Sequence, residues 1–256
     1  MARVGFIGTG EIAAALARGL AGRGHEIVVS ERGAGFAAAL DAEIPELSVA
    51  ANQDVLDRTD VVFLCLMERA AEEALTPLNF RRDQRIVSVM LAVDLATLAR
   101  LCAPAKEISI TIPLPFIRAG GCPLPVFPES TALAELYGDR NTIIPLGSEA
   151  AIPPHFAASA MCSSVYDHLM TGAEWLAGLT GDKAGAEAYL IALIGGYLAQ
   201  TPLDGKDQLA AVLESLDTEG GLNTTLREHM RMRGANAALI DGLDGFRERL
   251  GLPRDT

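Results

Sequence analysis

The chain has 256 residues, half of them apolar, and a formal net charge of −12 at pH 7. That length is enough for one large domain or two modest ones with a sizeable core. The negative balance argues against nucleic acid or an anionic membrane as partner, because both select basic surfaces.

The first residues run directly into a strand pattern, Val4–Ile7, with no charged-then-apolar leader before it. Then comes Gly8-Thr9-Gly10-Glu11-Ile12-Ala13, followed by an alanine-rich helical pattern over Glu11–Ala21. Further strand patterns lie at Glu26–Ser30, Val61–Leu66, Arg85–Val89, Glu107–Ile112 and Thr142–Pro145, with helical patterns at Gly35–Ala42, Ala70–Leu75 and Asp94–Ala103. Apolar strands alternating with helices predict an α/β fold, a Rossmann-type doubly wound parallel sheet covered on both faces. Pro113–Pro128 carries five prolines and two glycines, which predicts loops around an edge strand. From His155 onward the pattern is helical, with turn signals near Gly181 and Gly205. The expected organisation is a dinucleotide-binding domain over 1–154 and an all-α domain over 155–256. The longest apolar run, Ala188–Ala199, contains Gly195 and Gly196 and is too short to cross a bilayer. Cys65, Cys102, Cys122 and Cys162 are scattered without a CxxC pair, as expected of buried thiols in a reducing compartment. A soluble, cytoplasmic protein is expected.

The glycine segment carries the first chemistry. A G-x-G-x-x-A sequence is a weak signal alone, but here it closes a strand and opens a helix, the context of a pyrophosphate site. Gly8 allows the tight turn, Gly10 lets phosphate approach the backbone, and Ala13 allows close helix packing. Free amides at the helix start, around Thr9, Glu11 and Ile12, would meet the negative charge. The second strand ends in Ser30-Glu31-Arg32. A carboxylate there suits the ribose hydroxyls of NAD, whereas Ser30 and Arg32 suit the 2′-phosphate of NADP; NADP is the expected cofactor, with NAD open. Asn52, Cys65, Leu66 and Met67 are the further expected cofactor contacts.

The N-terminal motif, its spacing to "VVFLCLMERAAEEAL" and "IVSVMLAVDLATLARL", and the C-terminal "LDTEGGLNTTLREHMRMRGANAALIDGLDGFRERL" resemble pyrroline-5-carboxylate reductase over nearly the whole chain. The resemblance implies hydride transfer from NAD(P)H to a small cyclic imine bearing a carboxylate. It also implies a helical C-terminal domain that completes the substrate site and forms a homodimer or higher oligomer. Departures fall where substrate and nicotinamide would sit. The family's S-P-G-G-T-T is here Thr218-Glu219-Gly220-Gly221-Leu222-Asn223, and its M-P-N-T-P is reduced to Ile112-Pro113-Leu114-Pro115. Its A-V-K-P becomes Cys65-Leu66-Met67-Glu68, and its S-G-S-G-P-A-Y becomes Cys162-Ser163-Ser164-Val165-Tyr166-Asp167-His168. The pattern is that of a relative with a different substrate.

Reducing a C=N bond needs a hydride donor held in line and a proton source beside it. His168 is the expected catalytic proton donor, since imidazole titrates near neutrality; Tyr166 and Asp167 are its neighbours and alternatives. Ser164, Gly220, Gly221, Asn223, Thr224 and Thr225 are the expected substrate-binding residues, their amides and hydroxyls gripping the anionic end of an imine or ketone. Asn223 or Thr224 could instead simply cap a helix. No cluster has metal-ligand spacing, so no metal is expected. Two other readings share the N-terminal half: a β-hydroxyacid dehydrogenase-type oxidoreductase, which would need a lysine on the interdomain helix, and a non-catalytic dinucleotide-binding protein. A deazaflavin-linked NADP reductase shares the motif but would not be expected to need the helical C-terminal part.

Overall fold

The computed structural model describes residues 1–252. The chain divides into two compact units, Met1–Phe156 and a second beginning at Ala157.

The first unit is built on one eight-stranded sheet. Its strands are β1 (Arg3–Ile7), β2 (Glu26–Ser30), β3 (Leu47–Ala50), β4 (Val61–Leu64), β5 (Arg85–Ser88), β6 (Glu107–Thr111), β7 (Pro123–Phe127) and β8 (Thr142–Pro145). The spatial order is β3-β2-β1-β4-β5-β6-β7-β8. The first six strands are parallel, and the order reverses between β1 and β4, the crevice where doubly wound sheets bind ligands. Between them run α1 (Glu11–Leu20), α2 (Ala34–Glu43), α3 (Asn52–Arg58), α4 (Ala71–Leu75), α5 (Leu95–Leu101) and, between β7 and β8, α6 (Thr131–Tyr137). Alternate strand residues face two separate cores. Val4, Phe6, Ile27 and Val29 pack with α1, α2 and α6. Ile7, Val28, Val62 and Leu64 pack with α3, α4 and α5. Both faces are covered, which is why the parallel strands lack polar alternation.

Two sequence expectations change. Leu47–Ala50 is a strand that the pattern did not reveal, and it forms one edge of the sheet. The proline-rich stretch holds β7, which is no edge strand: it pairs antiparallel to β6 and parallel to β8. The carbonyls of Cys122 and Val126 accept from the amides of Thr142 and Leu146, so even-numbered residues turn their backbone groups to β8. The missing N–H groups of Pro123 and Pro125 therefore fall on the β6 side, where pairing narrows to Val126 and Phe127. The prolines shorten one ladder and leave the other intact.

Alanines 13, 14, 15 and 17 are buried and let α1 lie close on the sheet. The fully buried Tyr137 ring meets Phe63 edge-on at 5.9 Å, and Phe63 stacks on Phe6 at 5.1 Å. Its hydroxyl donates to Leu16 O of α1 at 2.9 Å, and Arg23 Nη1 donates to Leu136 O at 2.6 Å.

From α7 (Ile152–Ser159) onward the described chain is helical: α8 (Met161–Thr180), α9 (Lys183–Gln200), α10 (Gln208–Ser215), α11 (Leu222–Met232), α12 (Ala235–Asp244) and α13 (Phe246–Leu250). Gly181 ends α8 in the left-handed region, and Asp182 caps α9 by accepting from Gly185 N at 2.9 Å. The two helices approach closely at Gly172, where an added Cβ would lie 3.1 Å from Leu190 Cδ1. Only Ala157, Ala173 and Ala186 are buried among the described residues of this unit, while Trp175, Leu203 and Leu222 are 70%, 85% and 90% exposed.

Candidate functional site

The glycine loop between β1 and α1 is fastened to the end of β2. Gly8 has φ +89°, and a Cβ there would stand 2.6 Å from the carbonyl oxygen of Cys65. Its amide donates to Ser30 Oγ at 2.8 Å, Thr9 Oγ1 donates to Ser30 O at 2.6 Å, and Thr9 N donates to Arg32 O at 3.0 Å. Gly33 has φ +90°, and a side chain there would strike the Thr9 carbonyl. Sequence reasoning missed Gly33; its position just past the second strand was the available signal.

These bonds correct two expectations. Ser30 is wholly buried and Thr9 nearly so, and both hydroxyls are spent within the loop. They hold the turn in shape, so Ser30 is not left to grip a 2′-phosphate, and the Thr9 amide, expected to be free, is spent on Arg32 O. Glu31 and Arg32 remain exposed at the strand end, and Arg32 makes no ion pair among the described residues.

Gly10 is different from Gly8. Its φ of −105° and ψ of −165° suit any residue, and an added Cβ would meet nothing within 4 Å. Nothing in the protein requires glycine here, yet the position caps α1 with no side chain, leaving the first-turn amides of Glu11 and Ile12 without a side-chain partner. This is an open cradle at a helix start, suited to a pyrophosphate. Cys65 and Leu66 are half-buried beside Gly8, and Met67 is 60% exposed at the carboxyl end of β4. Burial drives the Cys65 thiol well above its ordinary pKa, so it is an inert wall and not a nucleophile. Asn52 opens α3 just past β3, whose Ala50 O accepts from Glu31 N at 3.2 Å. The structure thus brings Gly8, Thr9, Gly10, Glu11, Ile12, Ser30 and Arg32 together, with Cys65–Met67 on one flank and Asn52 following the neighbouring edge strand.

In the second unit Ser164 and His168 lie on α8, exposed. His168 Nδ1 is 2.8 Å from Ser164 O. A carbonyl only accepts, so Nδ1 carries hydrogen and Nε2 is the atom left to exchange a proton. His155 makes the same bond to Ala151 O at 2.7 Å, so this pattern alone does not single out His168.

Gly220 and Gly221 lead into α11, with Gly221 as a cap lacking a side chain. The threonines expected to grip substrate are engaged elsewhere. Thr224 Oγ1 donates to Asp217 Oδ1 at 2.5 Å, and Thr225 Oγ1 donates back to Gly221 O at 2.9 Å. Asp217 Oδ2 also receives Arg227 Nη2 at 3.0 Å. Only Asn223 of the three keeps its polar group exposed and unengaged among the described residues. Asp217 and Arg227 were missed from sequence, because a charged pair ten positions apart has no local signature. The lysine expected of a β-hydroxyacid dehydrogenase is absent from α8; Lys183 begins α9 and lies 3.9 Å from Glu187. Among the described residues no His, Cys, Asp and Glu group could hold a metal, and no helix is long and apolar enough to cross a membrane.

Residues 3–92 match the family model described as NADP oxidoreductase, coenzyme F420-dependent. No curated protein sequence matches the chain significantly. In fold, the chain is similar to 1-pyrroline-5-carboxylate reductase from Streptococcus pyogenes (19% identity, 97% of this chain and 98% of that one, TM-score 0.76). It is similar also to pyrroline carboxylate reductase from Plasmodium falciparum, solved with NADP bound (12% identity, 97% of each chain, TM-score 0.75). An imine reductase from Pseudomonas sp. is a more distant likeness (17% identity, 98% of this chain and 88% of that one, TM-score 0.61).

Proposed function

We propose that this chain, which has the fold of the pyrroline-5-carboxylate reductases, is an NAD(P)H-dependent reductase of a small imine. The observation that carries the reading is the Gly10 cradle: a bare, uncapped helix start beside a glycine turn that buried hydroxyls hold rigid. The fold shared with imine-reducing enzymes supports the choice of a C=N bond, and the lack of a lysine on α8 disfavours the hydroxyacid alternative.

When bound, the dinucleotide supplies a hydride to the imine carbon, and the imine nitrogen gains a proton, giving an amine and the oxidised cofactor. The chain's own residues do the rest. Amides of Glu11 and Ile12 take the pyrophosphate, with Gly8 and Gly10 keeping side chains out of its way. Arg32 is the one cation at the end of β2 for a 2′-phosphate, which favours NADP; Glu31 beside it keeps NAD open. Asn52 and Cys65–Met67 border the same ligand. His168 donates from Nε2 to the imine nitrogen while Ser164 O steadies Nδ1. Gly220, Gly221 and Asn223 orient the substrate. The exposed apolar residues of α8 to α11 support a homodimer that covers them.

The test is NADPH oxidation followed against a panel of cyclic imines and of 3-hydroxy acids in the reverse direction. Imine-dependent oxidation supports the proposal. Tight dinucleotide binding without turnover of any imine would leave a non-catalytic dinucleotide-binding protein as the better description.

A further inference from the structure

We infer that Asp217 is a positioning residue for the substrate: joined to Thr224 and Arg227, it fixes the rotation of α11 and with it the place of Asn223, without touching the ligand itself. The inference deepens the reductase reading above and rests on Asn223 as part of the substrate grip.

Little else sets α11. No residue of this helix is buried among the described residues, so core packing does not fix its rotation. The turn before it ends in two glycines, the first at φ +67°. Gly221 N donates to Thr218 O at 2.8 Å, and a Cβ at Gly221 would stand 2.9 Å from that oxygen. The turn itself therefore excludes a capping side chain, and the first-turn amides of α11 have no side-chain partner. What spans the turn is a chain of polar contacts. One Asp217 oxygen accepts from the Thr224 hydroxyl, and the other lies 3.0 Å from Arg227 Nη2. Arg227 Nη1 donates onward to Leu213 O at 3.2 Å, a carbonyl in the last turn of α10. Asp217 is held on its own side as well, its amide donating to Glu214 O at 3.0 Å. Two points on α11 are thus tied through one carboxylate to the helix before it, and both carboxylate oxygens are spent in doing so. The bonds from Thr224 and Arg227, with the charge of Arg231 added, hold Asp217 below the ordinary carboxylate range, so the tie is intact near neutrality. At about 100° per residue, Asn223 lies roughly 40° around the helix from Arg227, with Thr224 roughly 60° away on the other side. Asn223 therefore borders the stripe that the tie holds, and any rotation of α11 carries it away from its ligand.

The experiment is a double-mutant cycle on wild type, Asp217→Ala, Asn223→Ala and the double variant. kcat and KM are measured for 1-pyrroline and 1-pyrroline-5-carboxylate, and the Kd of NADPH by calorimetric titration. For the imine that the wild type reduces better, Asp217→Ala is expected to raise KM about tenfold, with kcat changed by less than about twofold and NADPH affinity unchanged. In the Asn223→Ala background the same substitution is expected to move KM by less than about twofold, because the group through which Asp217 acts is gone. An unchanged KM in the single variant, an effect of full size in the Asn223→Ala background, or an equal loss of NADPH affinity overturns the inference. Asp217→Asn keeps an oxygen for the Thr224 hydroxyl and weakens the hold on Arg227. It carries the test if Asp217→Ala does not fold, with a rise in KM of about threefold that likewise vanishes without Asn223. If neither imine is reduced but proline or pyrrolidine binds in the presence of NADP, the reductase reading falls and the same cycle, read in that Kd, decides the inference alone. If neither binds, both fall.

Discussion

Gly10→Asp separates what the fold needs from what a dinucleotide needs. The backbone at Gly10 is extended, an added Cβ meets nothing within 4 Å, and the position is the cap of α1. Aspartate is a good residue there for the fold: its carboxylate can accept from the free amides of the first turn, adding about a few tenths of a kcal/mol over glycine. In a unit of this size that raises Tm by about 1 °C. The same carboxylate would sit roughly 4–5 Å from a bound pyrophosphate, where like charges at an effective dielectric near 20 cost about 3–4 kcal/mol, or at least about 100-fold in Kd. Gly8→Ala is the control with the opposite signature. Its φ of +89° and the Cys65 carbonyl oxygen 2.6 Å from an added Cβ impose about 1–3 kcal/mol of strain, a fall in Tm of about 2–12 °C. Differential scanning calorimetry and calorimetric NADPH titration on both variants decide the matter. A folded Gly10→Asp protein that binds NADPH as the wild type does would refute the cradle; lost binding accompanied by a lower Tm would refute the claim that Gly10 is spared by the fold.

Arg32→Ala is expected to weaken NADPH about tenfold more than NADH, through loss of a charge-assisted contact; equal losses would show that the guanidinium does not read the phosphate. His168→Phe should lower kcat more than it raises KM, as loss of a proton donor acting in the transition state does; unchanged kcat would contradict the role. Light scattering at micromolar concentration should give twice the 27.0 kDa chain mass, and a monomer would contradict coverage of the apolar helices by a second copy. Burial pushes the Cys102 thiol up to about 12 from an ordinary 9.0, and raises Cys65 and Cys122 as well. The unfolded chain then loses protons that the native chain keeps, so stability should decline as pH rises above about 9; a Tm flat from pH 8 to pH 10 would contradict this.

The sequence carried the glycine loop and most of the sheet plainly, because both depend on local pattern: an apolar run, a glycine pair, an alanine-rich helix. It concealed β3, four residues long, in which Ser48 breaks a short apolar run. It concealed the place of β7 because proline content argues against pairing, and only the partner strands reveal which edge bears the loss. Ser30 was legible as a hydroxyl near a phosphate site and Thr9 as an amide at a helix start, but not as hydroxyls turned inward, one on the Gly8 amide and the other on the end of β2. Thr224 was legible as a cap or a ligand, but not as the partner of Asp217, which precedes the glycine pair and meets it only after the chain has turned.

The bonds from Tyr137 and Arg23 that fasten α1 bear on where this protein could be cut. Residues 3–92, the stretch that matches a family model, would be the natural fragment to cut out as a self-contained module. They are not one by folding. The inner face of α1 is roofed by Ile117, Leu133, Leu136 and Tyr137, all encoded after that stretch ends, and the Leu16 carbonyl finds its tyrosine donor there too. A fragment stopping at residue 92 would therefore leave α1 without these packing partners. The matched stretch is shorter than the packed unit, and a fragment that keeps α1 covered has to extend past Tyr137.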